Sequence, residues 1–112
     1  MCWKTIRLEL ASAPEFPNGS AGRAYLLHLP LDPDGRLEEH EFARAPALAT
    51  VRRHWPNERD RIGNLIPKER GWAISYGREE EEVFCSERDP LQPGRHVTVT
   101  EPNGSHMSYR VM

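Results

Sequence analysis

Four consecutive residues, Arg52-Arg53-His54-Trp55, combine side chains that recognise phosphate groups and side chains that stack on planar rings. Arginine pairs with phosphate through a planar fork of N–H donors, and tryptophan offers a wide π face to a base. One interpretation is therefore a basic, aromatic surface that binds nucleic acid, as in small barrels that stack bases.

Charge pairing within the protein is the alternative interpretation of this stretch, and we favour it. Residues 52–70 carry a net charge of +3, and residues 79–89 carry −5. If the two segments are neighbours in a sheet, their opposite charges pair across strands, and each pair contributes less than about 1 kcal/mol. The acidic run 79–82 is then a solvated loop that holds no tuned acid–base pair.

A second aromatic segment, residues 72–76, places Trp72, Ile74 and Tyr76 on one face if it forms a strand. Such a face normally belongs to the core, and if it is exposed it becomes a surface for a partner or ligand. The candidate binding residues from the sequence are thus Arg52, Arg53, His54, Trp55, Trp72 and Tyr76.

Metal and catalytic chemistry find little support in the sequence. The five histidines and two cysteines form no His-x-His, His-x3-His or Cys-x2-Cys pair. The chain also lacks a nucleophile elbow, a phosphate loop and a dinucleotide fingerprint. We predict no metal site, no cofactor and no catalytic residue. The enzymatic alternative is a site that the fold assembles from glutamates and from His28, His40 or His54.

Charge and hydropathy narrow the class of protein. The 15 basic and 17 acidic residues leave a net charge of −2 over 112 residues, which is not typical of a polyanion binder. No run approaches the roughly 18 apolar residues of a membrane helix, and the first residues lack the apolar core of a signal peptide. Two cysteines cannot build a disulfide framework. We therefore expect one cytoplasmic domain over residues 1–112, without membrane contact.

Ten prolines and eight glycines divide the chain into short segments, a spacing typical of strands. Residues 37–44 are rich in helix formers and precede Pro46, which predicts one or two helical turns anchored by Leu37 and Phe42, with a strand as the alternative. Residues 32–35 form a strong turn signal. The predicted strands are 3–10, 23–31, 50–55, 61–66, 72–77, 82–87 and the two arms of a hairpin over 95–112.

The terminal hairpin alternates regularly enough to predict its register. A three-residue loop over 102–104, with Gly104 in the left-handed region, pairs Glu101 with Ser105 and Val99 with Met107. A two-residue loop would mix polar and apolar side chains on both faces. The further pairs in the preferred register are Val97 with Tyr109, Thr100 with His106, Thr98 with Ser108, and His96 with Arg110.

These elements predict an all-β, mainly antiparallel fold: a small barrel or sandwich of about seven or eight short strands with one short helix. A barrel of this size is normally filled by its own side chains. Segments 51–55, 71–76, 93–104 and 109–111, with the acidic run before Val83-Phe84, resemble a small family of uncharacterised bacterial proteins. The resemblance covers most of the chain. It implies a small, mostly β barrel and implies no activity or catalytic residue.

For function, the sequence predicts a non-catalytic binding or protein-interaction module, whose partner is a protein, a small ligand or a second copy of the chain. The alternatives are a small nucleic-acid-binding barrel and an enzyme with a His/Glu site. An exposed Arg53–Trp55 pair would favour nucleic acid, and a deep pocket with histidine and a carboxylate would favour the enzyme. A filled interior with a flat apolar patch would favour protein contact.

Overall fold

Antiparallel pairing between successive strands organises the chain. The computed structural model describes residues 2–68, 71–77, 81–84, 90–101 and 103–112, and within them eight strands form a closed barrel in chain order. β8 pairs with β1 to close it, and the predicted fold class is confirmed. The strands are β1 (Cys2–Ser12), β2 (Ser20–Leu31), β3 (Thr50–His54), β4 (Arg61–Lys68), β5 (Gly71–Ser75), β6 (Glu81–Phe84), β7 (His96–Thr100) and β8 (His106–Val111).

The alternation of each strand decides which side chains fill the barrel. On β2, Tyr25 and Leu27 are buried and share one phase, which continues to the end of the strand. The Tyr25 ring packs edge-on against Tyr109 of β8, with centroids 5.0 Å apart, so side chains from the two strands that flank β1 meet inside the barrel. Burying one such side chain contributes about 1.5–3 kcal/mol. The interior is thus filled by its own residues, among them Leu8, Leu10, Leu29, Val51, Leu65, Ile74, Val97, Val99 and Val111.

The terminal hairpin has the predicted register. Val99 lies opposite Met107 and Val97 opposite Tyr109, while the polar pairs occupy the other face. Gly104 has φ +88°, and the Glu101 backbone N–H donates to the Ser105 carbonyl at 2.8 Å. The sequence could predict this hairpin because only one loop length separates its apolar face from its polar face.

One end of the barrel, called here the helix end, is covered by the segment between β2 and β3. This segment contains α1 (Glu39–Arg44) and a 3-10 turn (Pro46–Leu48). The predicted short helix is confirmed, and Phe42 is its buried residue. The Phe42 ring lies 5.8 Å from that of Trp72, the first inward-facing residue of β5. Since a six-residue helix is too short to be stable alone, this burial holds it in place.

A loop contact fastens the segment in front of α1. Gly35, in the predicted turn, has φ +84°, and a Cβ there would lie 2.9 Å from the side chain of Gln92. The Leu91 backbone N–H donates to the Gly35 carbonyl at 2.7 Å, and Gln92 Nε2 donates to the Asp34 carbonyl at 2.6 Å. The approach to β7 is therefore bound to the turn after β2, and glycine permits the close contact.

The opposite end, called here the open end, is surrounded by the loops that follow β1, β3 and β7. After β1, the Ala13 and Phe16 backbones exchange two hydrogen bonds of 3.0 Å, a tight turn with Pro14 at its second position. The turn brings the Phe16 ring beside the first residues of β2. No helix among the described residues is long and apolar enough to cross a bilayer.

Candidate functional site

Three arginines occupy inward-facing strand positions at the open end. Arg23 shares the phase of buried Tyr25 on β2, and Arg53 pairs across the sheet with both Tyr25 and Arg61. Arg53 also shares the phase of buried Val51, and its side chain is only 12% exposed. The alternation that puts leucine and valine inside the barrel thus puts guanidinium groups inside its rim.

Each of these arginines lies over an aromatic ring. Arg23 Cζ lies 4.0 Å from the Phe16 ring centroid and 5.2 Å from that of Trp55. Arg53 Cζ lies 4.2 Å from the Trp55 centroid, so two cations contact one indole. Such contacts contribute about 0.5–1 kcal/mol when exposed and about 2 kcal/mol when desolvated. They fix the guanidinium groups against the rim of the barrel.

The third cation–π pair depends on a glycine. Arg61 Cζ lies 4.0 Å from the Tyr76 ring centroid. The ring lies across β4 at Gly63, where an added Cβ would come within 2.9 Å of Tyr76 Cδ1 and would also meet the Ser75 carbonyl oxygen. Glycine is therefore required for the tyrosine to cover this part of the strand.

A cavity of about 220 Å³ opens beside the Arg23–Trp55 contact, and we call it the open-end pocket. A cavity of about 150 Å³ is enough to hold benzene, so this one accepts a molecule of about one substituted ring. Polar loop residues Asn103 and Ser105 stand at its edge. Its walls are formed by Leu10, Ala13, Phe16, Trp55 and Met107, with the charged groups Glu15, Arg23 and Glu101.

Several polar groups of the open-end pocket have no partner among the described residues. The Trp55 Nε1 donor is buried and makes no hydrogen bond there, an arrangement that costs about 1–3 kcal/mol. The Arg23 guanidinium has no carboxylate within 4.0 Å in the same part of the chain, whereas Arg7 and Arg44 each have one at 2.8–3.2 Å. Glu15 and Glu101 likewise make no ion pair with a described residue.

Arg52 and His54, two of the predicted binding residues, lie on the outer face of β3. Arg52 Nη1 lies 3.5 Å from Asp60 Oδ2, and His54 Nδ1 lies 2.8 Å from Asp60 Oδ1. Arg53 pairs with Glu58 at 3.2 Å. The basic segment is therefore partly neutralised by its own acids. The prediction that the basic segment 52–70 and the acidic segment 79–89 are neighbours in the sheet is wrong for their strands, because β5 lies between β4 and β6. Glu81 and Glu82 belong to β6 and not to a loop. The side chains of 79–89 lie outside the described part of the chain.

The six predicted residues do not share one surface. Arg53, Trp55 and Tyr76 surround the open end, whereas Trp72 is 9% exposed at the helix end, where it packs on Phe42. The structure thus places Trp72 and Ile74 in the core. Tyr76, from the same face, instead meets a cation. The face is core along most of its length and turns polar only at the rim.

The sequence analysis missed Phe16, Arg23, Glu101 and Met107 as site residues. One signal was available for Arg23, which continues the apolar phase of Tyr25 and Leu27 as a charged residue at the start of the strand. No comparable signal marked Phe16, because its position depends on the turn between β1 and β2. Loops supply much of this site, and local periodicity does not reveal how loops meet.

The histidines considered for an enzyme are dispersed. His28 Nδ1 lies 2.9 Å from the Leu48 carbonyl, and its ring lies 5.2 Å from that of Trp3 at the helix end. His40 is exposed on α1, and His54 lies on the outer face. Within the described ranges, no group of three His, Cys, Asp or Glu residues could hold a metal ion.

Comparison with known proteins found no relative of this chain. The chain matches no family model, and no curated protein or solved structure is significantly similar to it. The function is therefore inferred from the geometry of the open end.

Proposed function

We propose that this protein is a non-catalytic binding module that takes a small molecule into the open-end pocket. The observation that carries the proposal is a cavity of about 220 Å³ lined by Trp55 and Arg23, in which the Arg23 guanidinium has no carboxylate within 4.0 Å among the described residues. A guanidinium without a carboxylate partner in the described chain is available to an acidic or polar group of a ligand, with which it forms charge-assisted hydrogen bonds. The mixture of apolar walls with a few polar groups is typical of ligand pockets.

Nucleic-acid binding has less support. It would use an exposed Arg53–Trp55 pair, but Arg53 is 12% exposed and already contacts Glu58. Arg52 and His54 share their carboxylate partner on another face. We expect no salt-dependent binding of an oligonucleotide by the purified protein, whereas a steep loss of such binding with rising salt would favour the nucleic-acid alternative.

Protein contact and catalysis also have weaker support. Within the described chain, the large exposed apolar residues are Leu48 in the 3-10 turn, Ile62 on β4 and Met112 after β8, and single exposed apolar residues are common on monomers. None of the histidines lines the open-end pocket. We further propose a cytoplasmic location, because two cysteines cannot make a disulfide framework.

The proposal is tested with a neutral ring compound, phenol, titrated into the purified protein by saturation-transfer NMR. We expect phenol to bind the native protein and to bind much less to Ser105→Phe, which adds a ring at the pocket edge. Ser108→Phe is the matched control, because Ser108 lies nearby on β8 but outside this pocket. Equal binding by all three proteins, or by none, would contradict the proposal.

A further inference from the structure

We infer that the ligand of the open-end pocket is a small zwitterion, an α-amino acid or a similarly compact amino-carboxylate. The inference rests on the proposed function, since it names the chemical class that this pocket would take. It comes from the two kinds of charge that line one pocket and make no ion pair with a described residue: the Arg23 guanidinium and the carboxylates of Glu15 and Glu101.

The positively charged group of the pocket is the Arg23 guanidinium, which requires an acceptor. The Arg23 guanidinium lies 4.0 Å from the Phe16 ring centroid and 5.2 Å from that of Trp55, so aromatic faces cover the cation while its N–H edge stays available. A carboxylate fits such an edge with two parallel hydrogen bonds. The Trp55 ring adds an aromatic wall beside this cation.

The negatively charged groups of the pocket are the carboxylates of Glu15 and Glu101. Both line the pocket, and neither lies within 4.0 Å of Arg23, so the pocket does not neutralise its own charges. Ionised carboxylates are acceptors only, and an ammonium group offers three donors. Glu15 is exposed and Glu101 is half-buried, so an α-ammonium on the ligand would replace water at these carboxylates.

The charge balance distinguishes a zwitterion from a simple ion. One arginine against two glutamates gives the lining a formal charge of −1, so a plain carboxylate would meet net repulsion. A plain amine would pair with the glutamates but would leave Arg23 without an acceptor. A ligand with both charges satisfies both sides at once.

The remaining wall selects for a compact apolar side chain. Leu10 and Met107 are buried core residues that also line the pocket. Methionine adapts its shape to different neighbours, so this wall accepts aliphatic groups of several shapes. At about 220 Å³ the cavity suits one amino acid and excludes a folded peptide.

Isothermal titration calorimetry with a matched series tests the inference: leucine, N-acetylleucine, which lacks the positive charge, and leucinamide, which lacks the negative charge. We expect leucine to bind at least about tenfold more tightly than either analogue, since each lacks charge-assisted hydrogen bonds. Equal or tighter binding of either analogue would overturn the zwitterion inference.

Two variants assign the charges. Arg23→Gln should weaken leucine binding about tenfold and abolish its advantage over leucinamide, and Glu101→Gln should reduce its advantage over N-acetylleucine. Arg7→Gln is the matched control, since Arg7 is exposed and paired with Glu9. Arg23→Lys keeps the charge without the planar fork and should fall between the native protein and Arg23→Gln, provided that its amide spectrum shows an intact fold.

The phenol titration separates failure of this inference from failure of the proposed function. If phenol binds in the pocket and leucine does not, the zwitterion inference is wrong and the binding module stands. If neither phenol nor any member of the leucine series binds, both are wrong.

Discussion

The two ends of the barrel are built from the same strands and differ in what the inward-facing positions carry. At the helix end these positions hold Leu31 and Trp72, and α1 adds Phe42 as a cover. At the open end the same phases hold Arg23 and Arg53, stacked on rings. Strand alternation decides only which residues face inward. Their chemistry decides whether an end is filled or available for recognition.

The energetics of the two ends differ accordingly. Apolar burial at the helix end adds directly to stability. At the open end, Trp55 Nε1 is buried without a hydrogen-bond partner among the described residues, an arrangement that lowers stability. Local departures from an optimal fold of this kind are expected at functional sites. The comparison therefore predicts that substitutions at the helix end change stability and that those in the pocket change binding.

The largest effect is expected from Phe42→Ala. Loss of a buried phenylalanine typically costs about 3–5 kcal/mol, and the Trp72 ring would lose its cover. Urea denaturation should show this loss, while phenol affinity of the folded variant stays near the native value. His40→Ala, an exposed change on the same helix, is the control and should alter stability by less than about 0.5 kcal/mol. A small loss for Phe42→Ala would show that α1 does not hold the helix end closed.

The next largest loss of stability is expected from Gly63→Ala, near the open end. The new Cβ would meet the Tyr76 ring at 2.9 Å and the backbone of Ser75, and overpacking of this kind costs about 1–3 kcal/mol. Thermal unfolding measures the change. Gly22→Ala, whose Cβ would contact only side-chain atoms and lie 3.0 Å from Pro56, should lose less. A neutral Gly63→Ala would mean that Tyr76 does not need to lie across β4.

Arg53→Met and Arg23→Met compare two arginines within the open end. Arg53 contacts both Trp55 and Glu58, so its loss should lower the free energy of unfolding by about 1–2 kcal/mol. Arg23 has only ring contacts within the described chain, and its loss should cost less than about 1 kcal/mol. Chemical denaturation gives both values. The reverse order would indicate that Arg23 is a structural residue.

The smallest effect is expected from Arg52→Ala on the outer face. Its contact with Asp60 is 3.5 Å long and its side chain is 53% exposed, so the free energy of unfolding should change by less than about 0.5 kcal/mol. Titration of phenol should give the native affinity. A clear loss of binding would extend the recognition surface to the outside of the barrel.

The sequence could predict those features of the structure that depend on interactions between residues close together in the chain. The register of β7 and β8 and the burial of Phe42 depend on alternation and turn chemistry, which are local. The sequence also predicted Arg53 and Trp55 as binding residues, but it grouped them with Arg52 and His54. That grouping is wrong because successive side chains of a strand point to opposite faces.

The rest of the candidate site forms only when the barrel closes. Phe16, Trp55 and Glu101 come from three loops that approach one another only when β8 pairs with β1 and the barrel closes. No local pattern reports that approach. The unpartnered state of Trp55 Nε1 is likewise a property of the folded surroundings, invisible in the order of residues.

The indole N–H resonances of the three tryptophans test the central claim most directly, because Trp55 reports on the open end while Trp3 and Trp72 report on the helix end. During titration with phenol, followed by leucine, the account predicts a saturable shift of the Trp55 resonance and little change in the other two. A shift confined to Trp72 or Trp3, or no shift in any of the three, would contradict a ligand site at the open end.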